Sequence, residues 1–344
     1  MAAALGQWPH VHLSRINPPM PANRYYSGPA SDHFDGRFFN TAPITIYKSL
    51  ADVWRWRRSA QRAAWPDAVP IRPVVPAARV GGIRLTHVGH ATTLIQIGGV
   101  NLVTDPVWST RASPFTFAGP KRACAPGIAF DNLPPIDVVL LSHNHYDHLD
   151  IATLRRLIGR DNPLVLTPLG NDTIIRQGVA TARIAAMDWW DARDAVDGLH
   201  VTLVPAQHWS ARGTRDRRMA LWGGFFIRTA AAAIYFAGDT GYGDGSLFRA
   251  IRARMGAPDI ALLPIGAYAP RWFMADQHID PAEAVRIFTD MAVGHAIGIH
   301  WGVFRLSDEG RDAPAAALAE ALALQGIAAE RFAAAEPGYV FDPG

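Results

Sequence analysis

The sequence predicts a layered α/β fold with its chemistry gathered at one sheet edge, and three observations carry that prediction. Short apolar runs rich in β-branched residues recur along the chain, one of them leads through a histidine-rich loop into a capped helix, and three others end on a potential metal ligand. The first of these runs, Val138-Val139-Leu140-Leu141, reads as a buried strand. It stops at Ser142-His143-Asn144-His145-Tyr146-Asp147-His148-Leu149-Asp150. Asp150 suits the N-cap of a helix whose apolar residues Ile151, Leu154, Leu157 and Ile158 recur at helical spacing. The histidines therefore occupy a strand-to-helix loop, where layered α/β structures place ligands.

Taken in order, residues 1–82 are expected to form an N-terminal extension packing on the core, rich in Pro, Arg and aromatics. Met1 to Pro21 holds scattered histidines and prolines without a continuous apolar segment, so no secretory signal is expected there. Within the extension, Ile44 to Arg58 partly segregates Tyr47, Leu50, Val53, Trp54 and Trp56 from Lys48, Arg55, Arg57 and Arg58. That pattern fits a helix at a membrane interface, but the segregation is imperfect and favours a helix packed on the domain. The main domain, residues 83–344, opens with Ile83 to Val88, which alternates as a strand should. Thr93 to Ile97 and Val100 to Thr104 flank Gly98-Gly99, a hairpin signal, and the chain to Pro135 is expected to be loop.

Three later runs repeat the pattern. Val201 to Ala206 leads to Gln207-His208-Trp209, Ala233 to Ala237 to Gly238-Asp239-Thr240, and Ala296 to Ile299 to His300-Trp301-Gly302. Strands ending on one edge bring their following residues together, so His143, His145, Asp147, His148, His208, Asp239 and His300 are expected at one place. Imidazole and carboxylate are zinc ligands, and seven exceed the four places of one ion but suit two. The expected partition gives His143, His145 and His208 to one zinc and Asp147, His148 and His300 to the other, with Asp239 bridging. Two such ions can hold a hydroxide between them at neutral pH, aimed at an electrophile. Asp105 is expected to orient a ligand from behind, while His10, His12, His33, His87, His90, His200 and His295 are not expected to be ligands.

Composition narrows the rest. Hydrophobic residues at 49% and charged residues at 18% exclude a disordered chain, and a net charge of +3 gives no reason to expect a nucleic acid partner. No apolar run approaches the roughly 20 residues that span a bilayer. The single Cys124 leaves neither a disulfide nor a thiolate zinc site. A cytoplasmic protein, free or peripheral to a membrane, is the default expectation.

The His143–His148 loop, Gln207-His208, Gly238-Asp239-Thr240 and Ile299-His300-Trp301 together resemble the metallo-β-lactamase superfamily. That resemblance implies a four-layer αββα sandwich with a dinuclear site at one edge. By itself it leaves thioesterases, lactonases and nucleases open. Further stretches resemble the N-acyl-phosphatidylethanolamine-hydrolysing phospholipase D family: Thr104-Asp105-Pro106, Gly119-Pro120-Lys121-Arg122, Asp188-Trp189-Trp190, Pro264 to Met274, Gln277-His278 and Asp280-Pro281. The similarity runs from about Phe38 to the C-terminus. It implies two zinc ions, a phospholipid substrate and attack of a metal-bridging hydroxide on phosphorus, giving phosphatidic acid and an N-acylethanolamine. It also implies a homodimer. Asp147 is then a catalytic ligand, Gln277 and His278 match residues that approach the phosphate, and Tyr146 is placed to contact substrate. Asp280, Pro281 and Glu283 form a helix start whose positive end faces that loop. His278 as general acid to the leaving alkoxide requires a raised imidazolium population when phosphate is bound. The alternative is a hydrolase of the same fold acting on a soluble phosphodiester, a lactone or another small ester.

Overall fold

Fourteen strands pair into two seven-stranded sheets in the computed structural model, which describes residues 22–29, 31–41 and 48–343. In the first sheet β1 (Ile83–Gly89), β2 (Thr92–Ile97) and β3 (Val100–Thr104) run antiparallel, and β4 (Val138–Leu140), β5 (Leu164–Pro168) and β6 (Arg183–Met187) continue it in parallel. The β2–β3 turn requires positive φ at both central residues, and Gly98 and Gly99 supply 57° and 82° without a Cβ penalty. In the second sheet β7 (Ala192–Val196), β8 (Leu199–Val204), β9 (Gly224–Arg228) and β10 (Ala233–Phe236) are antiparallel. From β10, the strands β11 (Ile260–Pro264), β12 (His295–Ile299) and β13 (Phe332–Ala334) are parallel. A short β14 (Val340–Phe341) returns to the free edge of β1.

The side-chain clusters reveal the layers. Leu85, Ile95, Leu102, Leu140 and Leu166 of the first sheet meet Val201, Leu203, Phe225, Ile234, Leu262 and Ile297 of the second in one buried cluster. On the outer face of the first sheet, Leu94, Val103, Val139 and Val165 pack under α2 (Ile151–Asp161) and α3 (Asn171–Gly178) through Leu154, Leu157, Ile174 and Ile175. On the outer face of the second, Phe226, Tyr235 and Leu263 pack under helices. These are α4 (Ser246–Met255), α6 (Pro281–Asp290) and α7 (Ala313–Leu324), with the short α5 (Arg271–Met274) between the first two. Alternate side chains of each strand serve one of these interfaces, which is why strands buried on both faces read as near-continuous apolar runs. The result is the expected αββα sandwich.

The described part of the extension runs over this sandwich. Phe38 is wholly buried in the inter-sheet cluster, and Val69 N and Val74 N donate to Ala123 O and Gly127 O at 2.7 and 2.8 Å. Its helix α1 (Leu50–Ser59) begins at Ser49, which forms a capping box with Asp52; residues 44–47 of the stretch read as helical lie outside the described residues. Trp56 stacks on Phe273 at 4.8 Å and donates to Asp308, whereas Leu50 and Trp54 remain 90% and 61% exposed. Among the described residues no helix is long and apolar enough to cross a membrane.

Candidate metal centre

Each expected ligand stands just past a strand end. His143 to His148 follow β4, His208 follows β8, Asp239 follows β10 and His300 is the first residue after β12. Because β4 belongs to one sheet and the other three strands to its partner, the site lies where the two sheets meet at one edge. Gly238 allows that approach: φ is +60°, and a Cβ there would lie 2.7 Å from the Cβ of Ser142. All seven side chains come together.

They form two groups around one carboxylate. His143 Nε2 lies 2.9 Å from His145 Nδ1, which is 3.3 Å from His208 Nε2. On the other side, Asp147 Oδ2 lies 3.5 Å from His148 Nε2 and 3.4 Å from His300 Nε2. Asp239 sits between them, with Oδ2 3.2 Å from His148, 3.8 Å from His208 and 4.0 Å from His143, and Oδ1 3.2 Å from His300.

The outward atoms of the ligands are held by the protein. His148 Nδ1 meets Asp105 Oδ2 at 2.6 Å, and Asp105 also accepts from the Ser142 amide and hydroxyl. His208 Nδ1 lies 3.0 Å from the Gln277 carbonyl, which fixes it as the N–H and turns Nε2 inward. His143 Nδ1 lies 3.0 Å from Ser142 Oγ. Asp105 thus has the orienting place expected of it.

Sequence reasoning did not expect His90 to be a ligand and missed its place in a cluster with Asp147, His148 and His300. Its Nε2 lies 3.0 Å from Asp147 Oδ2, and its carbonyl accepts from His300 N at 2.7 Å. The available signal was Gly89-His90 between two alternating strands, a turn tight enough to force φ of 58° on the histidine. Arg212 was also missed; Nη1 donates to the Asn144 and Leu149 carbonyls at 3.0 and 2.9 Å, bracing the histidine loop from outside. Of the other histidines set aside, His33 pairs with Asp188 and His200 with Asp194, while His10 and His12 lie outside the described residues.

Electrostatics divide the cluster. Burial pushes His143 and His208 well below the usual imidazole range and His145 down to about 4, so these three are neutral. Burial by itself would raise Asp147 and Asp239, but the adjoining imidazoles hold both well below the usual carboxylate range. Burial likewise opposes charge on His300, yet Asp239 and Asp147 raise it to about 9. Burial opposes charge on His148 too, yet Asp239, Asp147 and Asp105 hold it well above the usual imidazole range, so a metal ion binding at His148 and His300 has to displace their protons.

The donor set fits a metal. His145 Nε2, His148 Nε2, Asp239 Oδ1 and both ring nitrogens of His300 are buried without a hydrogen-bond partner. Orphaned polar atoms at this density are costly unless something satisfies them.

The residues expected to contact substrate surround this cluster. His278 Nδ1 lies 3.8 Å from Asp239 Oδ2, and burial lowers the imidazole to about 4. Gln277 is buried, accepting from Trp209 Nε1 at 2.7 Å. Tyr146 donates to the Arg212 carbonyl at 3.1 Å and lines a cavity of about 540 Å³ with Trp108, Phe115, Arg111, Arg155 and Arg212. The Asp280 capping box is formed as read, with Pro281 first in the helix.

A sandwich of this kind carrying a His/Asp cluster at the sheet edge defines a metallo-hydrolase. The model of the Beta-lactamase superfamily domain matches residues 100–301, and the chain belongs to that superfamily. It is 40% identical over 232 residues to the N-acyl-phosphatidylethanolamine-hydrolyzing phospholipase D 1 of Caenorhabditis elegans, covering 65% of each chain. It is 30% identical over 225 residues to the UPF0173 metal-dependent hydrolase of Methanopyrus kandleri, covering 64% of this chain and 85% of the relative. Among solved structures, isothiocyanate hydrolase from Delia radicum gut bacteria superposes with a TM-score of 0.60 at 20% identity, over 75% of this chain and 98% of that one, a likeness of fold alone.

Proposed function

We propose that the chain is a zinc-dependent phosphodiesterase of phospholipase D type, with two zinc ions and a glycerophospholipid substrate such as N-acyl-phosphatidylethanolamine. The observation that carries this reading is the placement of six donors in two groups on either side of Asp239; a cavity with aromatic walls and three guanidinium groups adjoins the histidine loop at Tyr146, although none of the seven donors lines it. An amphiphile with a phosphodiester matches such a cavity, and the relative from Caenorhabditis elegans bears the corresponding name. Bound zinc would supply an activated water at neutral pH and positive charge opposite the phosphoryl oxygens.

The chain's own residues do the rest. Asp105 and the Gln277 carbonyl fix the tautomers of His148 and His208, leaving Nε2 of each for metal. His90 bears on the Asp147 carboxylate, so that ligand's orientation is set from a second element. His278, whose Nδ1 lies 3.8 Å from Asp239 Oδ2, is placed to meet the phosphate, and a bound phosphate dianion or monoanion would favour its imidazolium form. Substrate delivery falls to α1: exposed Leu50 and Trp54 beside Arg55, Arg57 and Arg58 suit peripheral contact with an anionic lipid surface.

The test is incubation of purified protein with N-acyl-phosphatidylethanolamine in mixed micelles, with and without chelator. Phosphatidic acid and N-acylethanolamine released together, abolished by chelation and restored by zinc, are the expected result. No release from zinc-replete protein would overturn the lipid assignment and turn the search to soluble phosphodiesters and lactones.

A further inference from the structure

His208 stands four residues beyond the end of β8, so no neighbouring strand pairs with its backbone. Its peptide groups are served instead by a side chain from far upstream. Asn40 Nδ2 donates to His208 O at 3.0 Å, and Asn40 Oδ1 accepts from His208 N at 3.1 Å. One carboxamide thus grips both polar groups of one residue, as a paired strand would. The same Oδ1 accepts from Trp222 Nε1 at 3.2 Å, and that indole also donates to Ala206 O at 2.9 Å.

Asn40 is itself held firmly. Two residues before it, Phe38 is wholly buried between the sheets and its N–H donates to Arg218 O at 2.9 Å. Arg37 donates to the Arg217 carbonyl. These anchors tie the strap to the loop that follows His208, so Asn40 cannot drift relative to it. With the backbone fixed by Asn40 and Nδ1 by the Gln277 carbonyl, the His208 imidazole has one orientation, with Nε2 facing His145 Nδ1.

We propose that Asn40 is a positioning residue of the metal centre. The segment ahead of the hydrolase domain sets His208 and thereby determines how tightly the ion shared by His143, His145 and His208 is retained. This rests on the two-zinc reading above. Outer partners of metal ligands typically govern affinity by 10–100-fold, and here the partner acts on the ligand's backbone rather than on its ring.

The experiment measures zinc binding by the full chain in competition with a chromophoric chelator, for the wild type, Asn40→Ala, Asn40→Asp and Trp222→Phe. In Asn40→Ala one of two ions is expected to bind about 10–100-fold more weakly while the other is unchanged. Asn40→Asp keeps the size and the acceptor but loses the donor to His208 O, and a smaller loss at the same ion is expected. Trp222→Phe, which leaves the Asn40–His208 pair intact, is expected to hold both ions as the wild type does. Cobalt(II) in place of zinc gives a second readout: a changed absorption band for one ion of the pair. Circular dichroism of the zinc-free variants establishes that each folds, and Asn40→Asp decides if Asn40→Ala does not. A folded variant at Asn40 that retains both ions with wild-type affinity overturns the proposal. Equal weakening of both ions also overturns it, because that marks general loosening. Wild-type protein that binds no zinc overturns the two-zinc reading itself.

Discussion

Asp105 braces the candidate ligand cluster from behind. Its carboxylate takes the Ser142 amide, the Ser142 hydroxyl and His148 Nδ1 at 2.7, 2.6 and 2.6 Å, at a backbone φ of 28°. His90 and His300, at 58° and 65°, share that left-handed conformation, so three non-glycine residues around the centre are held where side chains are normally disfavoured. Asp105→Ala is expected to lower zinc affinity about 10–100-fold, read by chelator competition, because His148 loses the partner that fixes its tautomer. His87 makes a prediction of another kind. It is buried, with Nδ1 3.3 Å from Thr93 Oγ1, and burial lowers it to about 3. A histidine depressed in the folded state contributes its full stability above the unfolded value near 6.5 and loses it as pH falls towards the folded value. Between those limits the loss is up to about 1.4 kcal/mol per pH unit. Denaturant titrations of wild type and His87→Asn from pH 7 to 4 should therefore converge, the variant having the shallower decline. Parallel curves would show that His87 charges without cost.

At the scale of elements, α1 presents two faces with different uses. Trp56 and Lys48 join it to Phe273 of α5 and to Asp276 just beyond it, through a stacked ring and a 2.8 Å ion pair. Leu50 and Trp54, one turn apart, face outward. Replacing both with Ser is expected to reduce binding to vesicles containing anionic lipid several-fold, measured by sedimentation, while hydrolysis of a soluble short-chain substrate is kept. Unchanged vesicle binding would assign lipid contact to another surface. Sequence patterning located the starts of α2 and α6 because their caps are encoded locally, Asp150 and Asp280 with Glu283, whereas for α1 it read Ile44 to Arg58 and overlooked the Ser49–Asp52 capping box that starts the helix at Leu50. It also located β1 to β4, β8, β10 and β12. It offered nothing for β7, whose Ala-Arg-Asp-Ala-Val is a strand only because β8 supplies an antiparallel partner. Edge strands depend on that tertiary partner more than on their own residues.

For the whole molecule, the sheets meet at an edge where several buried nitrogens and oxygens make no hydrogen bond, and those of His148, His300 and Asp239 meet one another at ion-pair distance. Whatever binds there stabilises the folded chain by mass action. Chelation is expected to lower the melting temperature, with recovery on adding zinc, and calorimetry of the treated and restored protein measures both. A melting temperature indifferent to chelator and zinc would show that metal makes no contribution to stability. By itself the sequence determined the fold class and the seven side chains that converge, because strand periodicity and ligand type are local properties that survive without knowledge of neighbours. Only the tertiary structure decided that His90 joins one of the two groups flanking Asp239, and that Asn40 grips His208 from a segment 168 residues upstream. Those relations depend on which strands pair and which loops meet at the sheet edge, and no stretch of chain short enough to read as a pattern contains them.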